Sequence, residues 1–192
     1  MTFVYRVLRQ LRVPVAIVLG TVGLSSFARA ATAVPGVRST SPAIRELIDD
    51  AMWESPTFRG LVVAIAATNG IVYVEEGVCQ HGVHACLRLD VTAAAGFRIL
   101  HVLVDLNGVL AHRKRLDLMA TIGHELRHAL EVLAERTVMT GADAFLFYTR
   151  LVPTSERTFE TRAAVATGIQ VRKEVGRQTT IVWQQVALDF PN

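Results

Sequence analysis

The first thirty residues lack acidic side chains altogether, although the whole chain contains seventeen. Three arginines within the first twelve residues form a basic start, and a short apolar run follows at residues 13–24. That run is too short to span a bilayer comfortably. Small residues at 28–30, Ala-Arg-Ala, have the spacing that a signal peptidase reads. The sequence therefore predicts a signal peptide over residues 1–30, with an uncleaved N-terminal anchor as the alternative.

Two further absences narrow the route of export. No cysteine lies near residue 30, which argues against a lipoprotein anchor, and no adjacent Arg-Arg pair is present for twin-arginine export. We therefore expect an exported chain, periplasmic or secreted, with no stable membrane insertion once the signal has been removed.

Basic patches interleaved with aromatic residues are also missing. The chain has a formal net charge of +3, but its first thirty residues hold four of the twenty basic residues. The remaining residues carry sixteen basic and seventeen acidic side chains, a net charge of −1. The apparent basicity thus belongs to the export signal, and nucleic acid is not an expected partner.

Cysteine is scarce, with one residue at each end of an eight-residue stretch, Cys79 and Cys86. In an exported protein such a pair predicts a disulfide that closes a short loop. The alternative is a metal site formed by both cysteines with His81 and His84, although this mixed spacing matches no common zinc pattern.

Repeats and low-complexity segments are absent as well, and the length suits one domain over residues 41–192 after a flexible lead-in at residues 31–40. Ser41 is a suitable cap for a helix that begins at Pro42, because proline fits the first helical turn. This helix is expected to end before Pro56.

Strand-like apolar segments follow the first helix, at residues 61–68, 71–77, 85–92 and 98–106. Asn69-Gly70 between the first two predicts a hairpin, because this pair tolerates the positive φ angles of a two-residue turn. We therefore expect an α+β fold with a small, mostly antiparallel sheet packed against helices.

The main motif that the chain does contain is His-Glu-x-x-His at residues 124–128, within a helix-like stretch at 116–136. Apolar residues recur there at helical spacing and no proline interrupts them. On such a helix His124 and His128 lie one turn apart on the same face, where both imidazoles can bind one metal ion, usually zinc. Glu125 can then exchange a proton with water.

This motif resembles the active-site helix of the zincin metallopeptidases, over about fifteen residues. The resemblance suggests a small exported, bacterial-type member of the HExxH superfamily, with Zn²⁺ as cofactor and a peptide or protein as substrate. It implies hydrolysis of peptide bonds, a sheet beside the metal helix, and an edge strand that binds extended substrate. The extended HExxHxxGxxH form does not apply, because Glu131 and Ala134 replace its glycine and histidine. The alternative is an exported metal-binding protein of zincin-like fold without peptidase activity.

Catalytic zinc normally has a third protein ligand. The gluzincin pattern favours Glu160, at the start of a predicted helix over residues 159–175. Asp143 stays an alternative, because its surroundings faintly resemble the aspzincin pattern, although it also suits the first turn of a helix. Glu131 and Glu135 are expected to be supporting or surface groups.

Several other residues are less informative. Tyr148 and Arg162 are candidates for stabilising negative charge on a substrate carbonyl oxygen. We expect His101 to be packed or exposed rather than catalytic, and residues 112–115 to form a solvated loop. The last fifteen residues, 178–192, suit a final strand or a buried tail.

Overall fold

Five helices and one four-stranded sheet form the part of the chain that a computed structural model describes, residues 36–79, 82–107, 112–152 and 159–189. Residues 112 and 178–189 are described as backbone only. The predicted signal peptide lies outside this part. The elements, in chain order, are β1 (Gly36–Arg38), α1 (Pro42–Glu54), α2 (Pro56–Ala66), β2 (Gly70–Glu76), β3 (Ala85–Ala94), β4 (Phe97–Val104), α3 (His112–Ala134), α4 (Gly141–Leu151) and α5 (Arg162–Asp189).

The sheet is mixed, with the strand order β1-β2-β4-β3. β2 pairs in parallel with both β1 and β4, and only β3 and β4 are antiparallel. The predicted α+β class is confirmed, whereas the prediction of a mostly antiparallel sheet is wrong. The difference arises because the segment expected to form a hairpin with β2 is a helix.

Residues 61–68 belong mainly to α2 instead of a strand. Ser55 caps this helix, because its Oγ accepts a hydrogen bond from Phe58 N at 3.0 Å, and a proline occupies the first helical position. Burial decides the outcome despite the many β-branched residues, because an apolar stripe at helical spacing faces the core. The stripe consists of Phe58, Leu61 and Ile65. Gly70 consequently begins β2 rather than completing a hairpin turn.

The first helix has its predicted bounds, from Pro42 to Glu54. Ser41 Oγ accepts the expected capping hydrogen bond, from Ile44 N at 3.4 Å. The lead-in differs from the prediction, because residues 36–38 form β1 and pair with β2. Its backbone groups are thereby satisfied by the sheet, and Val37 packs against the core.

The core lies between the sheet and α3. Alternate side chains of the central strands point towards it and are fully buried, including Val72, Val74, Leu100 and Val102. The facing side of α3 presents Ile122, Leu126 and Ala129, which are also fully buried. Because α2 and α5 pack against α3 as well, the metal-motif helix is enclosed on most sides.

A buried arginine holds the C-terminal end of α3. The guanidinium of Arg98, on β4, donates hydrogen bonds to the carbonyl oxygens of the last helical turn and the residues after it, and to Asn69 Oδ1. The carbonyl acceptors are Val132, Leu133, Glu135 and Val138. The last carbonyls of a helix lack hydrogen-bond partners within the helix and carry partial negative charge. The guanidinium of Arg98 supplies both the missing donors and an opposite charge.

The ends of two helices differ from their predictions. Residues 112–115 form the first turn of α3 rather than a loop, because Arg115 pairs with Asp50 and Glu46 of α1. At the other end of the chain, residues 178–189 continue α5 instead of forming a strand. Among the described residues, none of the helices has the length and apolar character needed to cross a membrane.

Candidate metal centre

Two imidazoles converge at the middle of α3. His124 and His128 are separated by one helical turn, and their Nε2 atoms lie 3.2 Å apart. The rings are nearly perpendicular, with an interplanar angle of 74°. Both Nε2 atoms therefore face the same small space, as the spacing predicted.

A carboxylate from elsewhere in the fold completes this group. Glu160 Oε2 lies 3.0 Å from His124 Nε2 and 4.0 Å from His128 Nε2. One potential ligand atom from each of the three residues lies within 4.8 Å of the others. Ligands bound at zinc distances in tetrahedral geometry are separated by roughly 3.3 Å, so the His-His-Glu group could hold a metal ion.

The start of α5 fixes the position of Glu160. The sequence predicted that Glu160 lies early within this helix. In the structure Glu160 instead precedes the helix, which begins at Arg162. Thr161 is the cap, because its Oγ1 accepts a hydrogen bond from Ala164 N at 3.1 Å. Along α5, Gly168 permits a close approach to α3: an added Cβ would lie 3.3 Å from His124 Cβ.

Asp143, the alternative third ligand, is not brought together with the two histidines. It forms a capping box at the start of α4, where its carboxylate accepts hydrogen bonds from Thr140 Oγ1 and from the backbone nitrogens of Thr140 and Met139. The bond from the Thr140 hydroxyl is the main cause of the lowered pKa of Asp143. Asp143 therefore stabilises the first turn of α4, which is the alternative role that the sequence predicted for it.

The other ring nitrogen of His128 has its own partner. Nδ1 lies 3.3 Å from Glu131 Oε2. Glu131 Oε1 accepts hydrogen bonds from Thr161 Oγ1 at 2.8 Å and from Arg127 Nε at 3.3 Å. Burial acts to raise the pKa of Glu131, but the hydrogen bonds with His128 and Thr161 outweigh it and the pKa is lowered. Glu131 is thus a supporting group, whereas Glu135 bonds to Thr137 away from the histidines.

Glu125 is buried beside the group formed by His124, His128 and Glu160. Its Oε1 lies 4.0 Å from His124 Nε2, and its Oε2 accepts a hydrogen bond from the backbone nitrogen of Leu87, on β3, at 2.7 Å. Burial raises the pKa of Glu125, although both histidines and the Leu87 N–H oppose the change. A carboxyl group with a raised pKa is suited to accepting and returning a proton near neutral pH.

His124 is the more exposed of the two histidines. Burial alone would lower the pKa of its ring, but the hydrogen bond with Glu160 and the nearby carboxylates Glu125 and Glu131 raise it overall. The same hydrogen bond with His124 lowers the pKa of Glu160. The three ligand candidates and Glu125 therefore form one electrostatically linked cluster.

The metal group opens into a cleft of about 1150 Å³. Its lining includes Val78 and Val83, which flank Cys79 in the sequence, and Val165 and Ile169 of α5. All four valine and isoleucine side chains are exposed, so part of the cleft surface is apolar. β3 is an edge strand of the sheet and contributes Leu87 to the same cleft.

The two candidates for stabilising a carbonyl oxygen have other surroundings in the structure. The hydroxyl of Tyr148 is buried and donates a hydrogen bond to the carbonyl oxygen of His128 at 2.9 Å. Burial raises the pKa of this phenol, so it stays protonated. Arg162 is exposed and lines a separate cavity of about 1100 Å³ that also adjoins Glu160.

The predicted disulfide is confirmed: Cys79 and Cys86 are bonded, with Cα atoms 6.0 Å apart. The alternative metal site of two cysteines and two histidines is thereby wrong, because both sulfurs are used in the disulfide; His81 lies outside the described residues. His101 is packed as expected, with Nδ1 3.2 Å from Glu75 Oε2 and its ring stacked on Tyr73.

The HExxH motif identified His124, Glu125 and His128, and the resemblance to gluzincins added Glu160. Two contacts of the cluster were not predicted from the sequence. They are the hydrogen bonds from the Leu87 N–H to Glu125 and from the Thr161 hydroxyl to Glu131, and both donors are distant from α3 in the sequence. No protein-family model, characterised protein or solved structure matches the chain. The case for its function therefore rests on the motif and on the geometry of the cluster.

Proposed function

We propose that the protein is a zinc metallopeptidase of zincin type that hydrolyses peptide bonds. The observation that carries the proposal is the convergence of His124, His128 and Glu160, with Glu125 4.0 Å from His124. Two imidazole nitrogens and one carboxylate oxygen form a common ligand set of catalytic zinc, which leaves one position for water or substrate. A zinc ion held there would supply Lewis acidity towards a substrate carbonyl and towards water.

Glu125 is the proton carrier in this proposal. Its Oε2 is held by the Leu87 N–H, which leaves Oε1 on the side of His124. From there Oε1 takes a proton from the attacking water and passes it to the nitrogen of the leaving amine. Burial raises the pKa of Glu125, and a carboxylate with a raised pKa is a stronger base towards the water proton.

The cleft suits an extended peptide. β3 is an edge strand next to Glu125, and an edge strand can pair with a peptide through backbone hydrogen bonds. The exposed valine and isoleucine side chains in the cleft lining favour apolar substrate side chains near the cleaved bond. The disulfide fits an extracellular setting, which agrees with export to the periplasm or medium.

Glu125→Gln tests the proposal directly. We expect the variant to keep its bound zinc while its cleavage of a mixed quenched-fluorescent peptide library falls at least about 100-fold, because the amide cannot accept the proton. Metal content is measured by elemental analysis and cleavage by fluorescence. Glu135→Gln is the matched control, with the same charge change on a side chain that bonds to Thr137. Undiminished cleavage by Glu125→Gln would sink the catalytic role of this residue.

One observation favours the second candidate, an exported metal-binding protein without peptidase activity. Glu125 is buried, and one of its two oxygens is already occupied by the edge strand. If that contact also excludes substrate from β3, zinc would bind without catalysis. A wild-type chain that binds zinc but cleaves no member of the peptide library, nor an unfolded protein, would support this candidate over the peptidase.

A further inference from the structure

Glu131 uses its two carboxylate oxygens on two different parts of the metal centre. Oε2 faces Nδ1 of His128 at 3.3 Å, on the same helix. Oε1 accepts the hydroxyl of Thr161 at 2.8 Å, from the segment that precedes α5. The side chain is only 11% exposed, so water competes little for these bonds.

The first contact determines which nitrogen of His128 carries the proton. An ionised carboxylate can only accept hydrogen bonds, so it favours the ring form with hydrogen on Nδ1. In that form Nε2 has a free lone pair, and Nε2 is the atom that faces His124 and Glu160. Glu131 therefore prepares His128 to bind a metal through the correct atom.

The second contact holds the segment that carries Glu160. Thr161, the next residue, donates to Glu131 while it accepts from Ala164 N as the cap of α5. On the other side of Glu160, the ring of Phe159 stacks on Tyr148 with centroids 5.5 Å apart. Glu160 is thus fixed from both neighbours, and the link through Thr161 leads directly to α3.

We propose that Glu131 is a positioning residue that sets the ring form of His128 and, through Thr161, the location of Glu160. One carboxylate thereby couples ligands from two elements that are distant in sequence. The inference rests on the metal site of the proposed function, but it does not depend on peptidase activity.

Zinc affinity of Glu131→Ala and Glu131→Gln, measured by competition with a chromogenic chelator, tests the first contact. Loss of an outer partner of a metal-binding histidine weakens binding about 10–100-fold, and we expect this for Glu131→Ala. Glu131→Gln should also bind more weakly, because an amide that accepts from Thr161 turns its NH₂ towards His128 Nδ1. The control is Glu135→Gln, which should keep wild-type affinity.

Thr161 tests the second contact without a change of charge. Thr161→Val should weaken zinc binding several-fold, and Thr161→Ser should restore it, because serine keeps the hydroxyl. Cobalt-substituted protein adds a spectroscopic measure: the visible d–d bands should shift in Glu131→Ala and Thr161→Val but not in Thr161→Ser. Circular dichroism confirms that each variant compared is folded.

The outcomes separate this inference from the proposed function. Wild-type zinc affinity and an unchanged cobalt spectrum in folded Glu131→Gln, or in Thr161→Val, would overturn the positioning role while leaving the metal site intact. Equal losses of zinc affinity in Glu131→Gln and Glu135→Gln would also overturn the positioning role, because the change in net charge would then explain the effect. A wild-type chain that binds no zinc would overturn both.

Discussion

At the scale of single residues, Gly168 has a specific steric task. It lies where α5 crosses α3, and an added Cβ would be 3.3 Å from His124 Cβ and 3.5 Å from both His124 Nδ1 and the Ala120 carbonyl oxygen. A helix interior would otherwise favour alanine. The glycine therefore gives up local helix stability so that α5 can approach His124 closely.

Gly168→Ala should separate stability from function. Alanine improves helix propensity by about 1 kcal/mol. Its methyl group would lie 3.3 Å from His124 Cβ, however, so His124 has to shift slightly. We expect an unchanged or higher melting temperature without metal, together with several-fold weaker zinc binding. Thermal unfolding and zinc titration provide the two measurements.

Gly176→Ala is the control for that experiment. It makes the same change on the same helix, but the added Cβ would meet only the end of the flexible Arg172 side chain, at 3.2 Å. Zinc affinity should not change there. Equal weakening in both variants would contradict a steric role for Gly168 at His124.

At the scale of elements, α3 depends on β4 for its C-terminal cap. Arg98 contacts four backbone carbonyls that no side chain of α3 itself satisfies, and it is nearly fully buried. A buried acceptor that loses its donor keeps its desolvation cost. The cap therefore joins α3 to the sheet by hydrogen bonds as well as by apolar packing.

Arg98→Met keeps much of the aliphatic volume and removes the guanidinium. We expect it to lower the free energy of unfolding by at least about 2 kcal/mol, because several buried carbonyls lose their donor. Urea unfolding followed by circular dichroism measures the change. Arg88→Met is a suitable control, since Arg88 is half-exposed and forms an ion pair with Asp90 at the surface. Similar losses in both variants would contradict the capping role.

A second link between elements joins α5 to the start of α2. Glu174 accepts hydrogen bonds from Ser55 Oγ, Thr57 N and Thr57 Oγ1. Burial acts to raise the pKa of Glu174, but these bonds and one from Gln170 outweigh it, so the pKa lies below its ordinary value of 4.5. A carboxyl whose pKa is lowered on folding stabilises the fold above its unfolded pKa.

The lowered pKa of Glu174 predicts how the stability of the fold depends on pH in the acid range. The contribution of Glu174 should be complete above about pH 5 and disappear as pH falls through the lowered pKa of the folded state. Glu174→Gln should therefore be less stable than wild type at pH 7, by no more than about 1 kcal/mol for so exposed a group. The difference should shrink at pH 3, as measured by urea unfolding. A difference that grows on acidification would contradict the assigned direction.

At the scale of the whole molecule, the candidate metal centre joins parts that are distant in the chain. α3 contributes two imidazoles, and the segment before α5 contributes the carboxylate. Between them lie α4 and residues 153–158, so the loop closed by a shared metal ion is long. Metal binding to the folded state alone stabilises that state.

Zinc should therefore raise the stability of the purified chain. At a free concentration of 100 times Kd, the expected gain in the free energy of unfolding is about 2.7 kcal/mol. Differential scanning calorimetry with and without zinc, and after chelation, measures it. His128→Ala should show no gain; an equal gain in that variant would mean that zinc binds elsewhere.

The sequence predicted best what depends on neighbouring residues. The bounds of α1 follow from Ser41, Pro42 and Pro56, and the one-turn spacing of His124 and His128 follows from helix geometry. The disulfide follows from the cysteine count and the expected setting. Each of these features is encoded within a few residues.

The predictions of secondary structure and strand pairing were wrong where contacts between distant residues determine the structure. Residues 61–68 contain many β-branched residues, yet two of their apolar side chains, Leu61 and Ile65, form with Phe58 a helical stripe against the core. The parallel pairing of β2 with β1 and β4 then replaced the expected hairpin. Strand propensity is weak compared with burial, so the core outweighed the local signal.

The sequence by itself determined the helix that carries the HExxH motif, the disulfide pair and the α+β class, because helix spacing and cysteine chemistry act locally. The tertiary structure alone decided which carboxylate faces the two imidazoles, which backbone nitrogen holds Glu125, and which residues support the site from behind. Those choices require α5, β3 and the cap at Arg98 to be brought against α3, and only packing of the whole core fixes their positions.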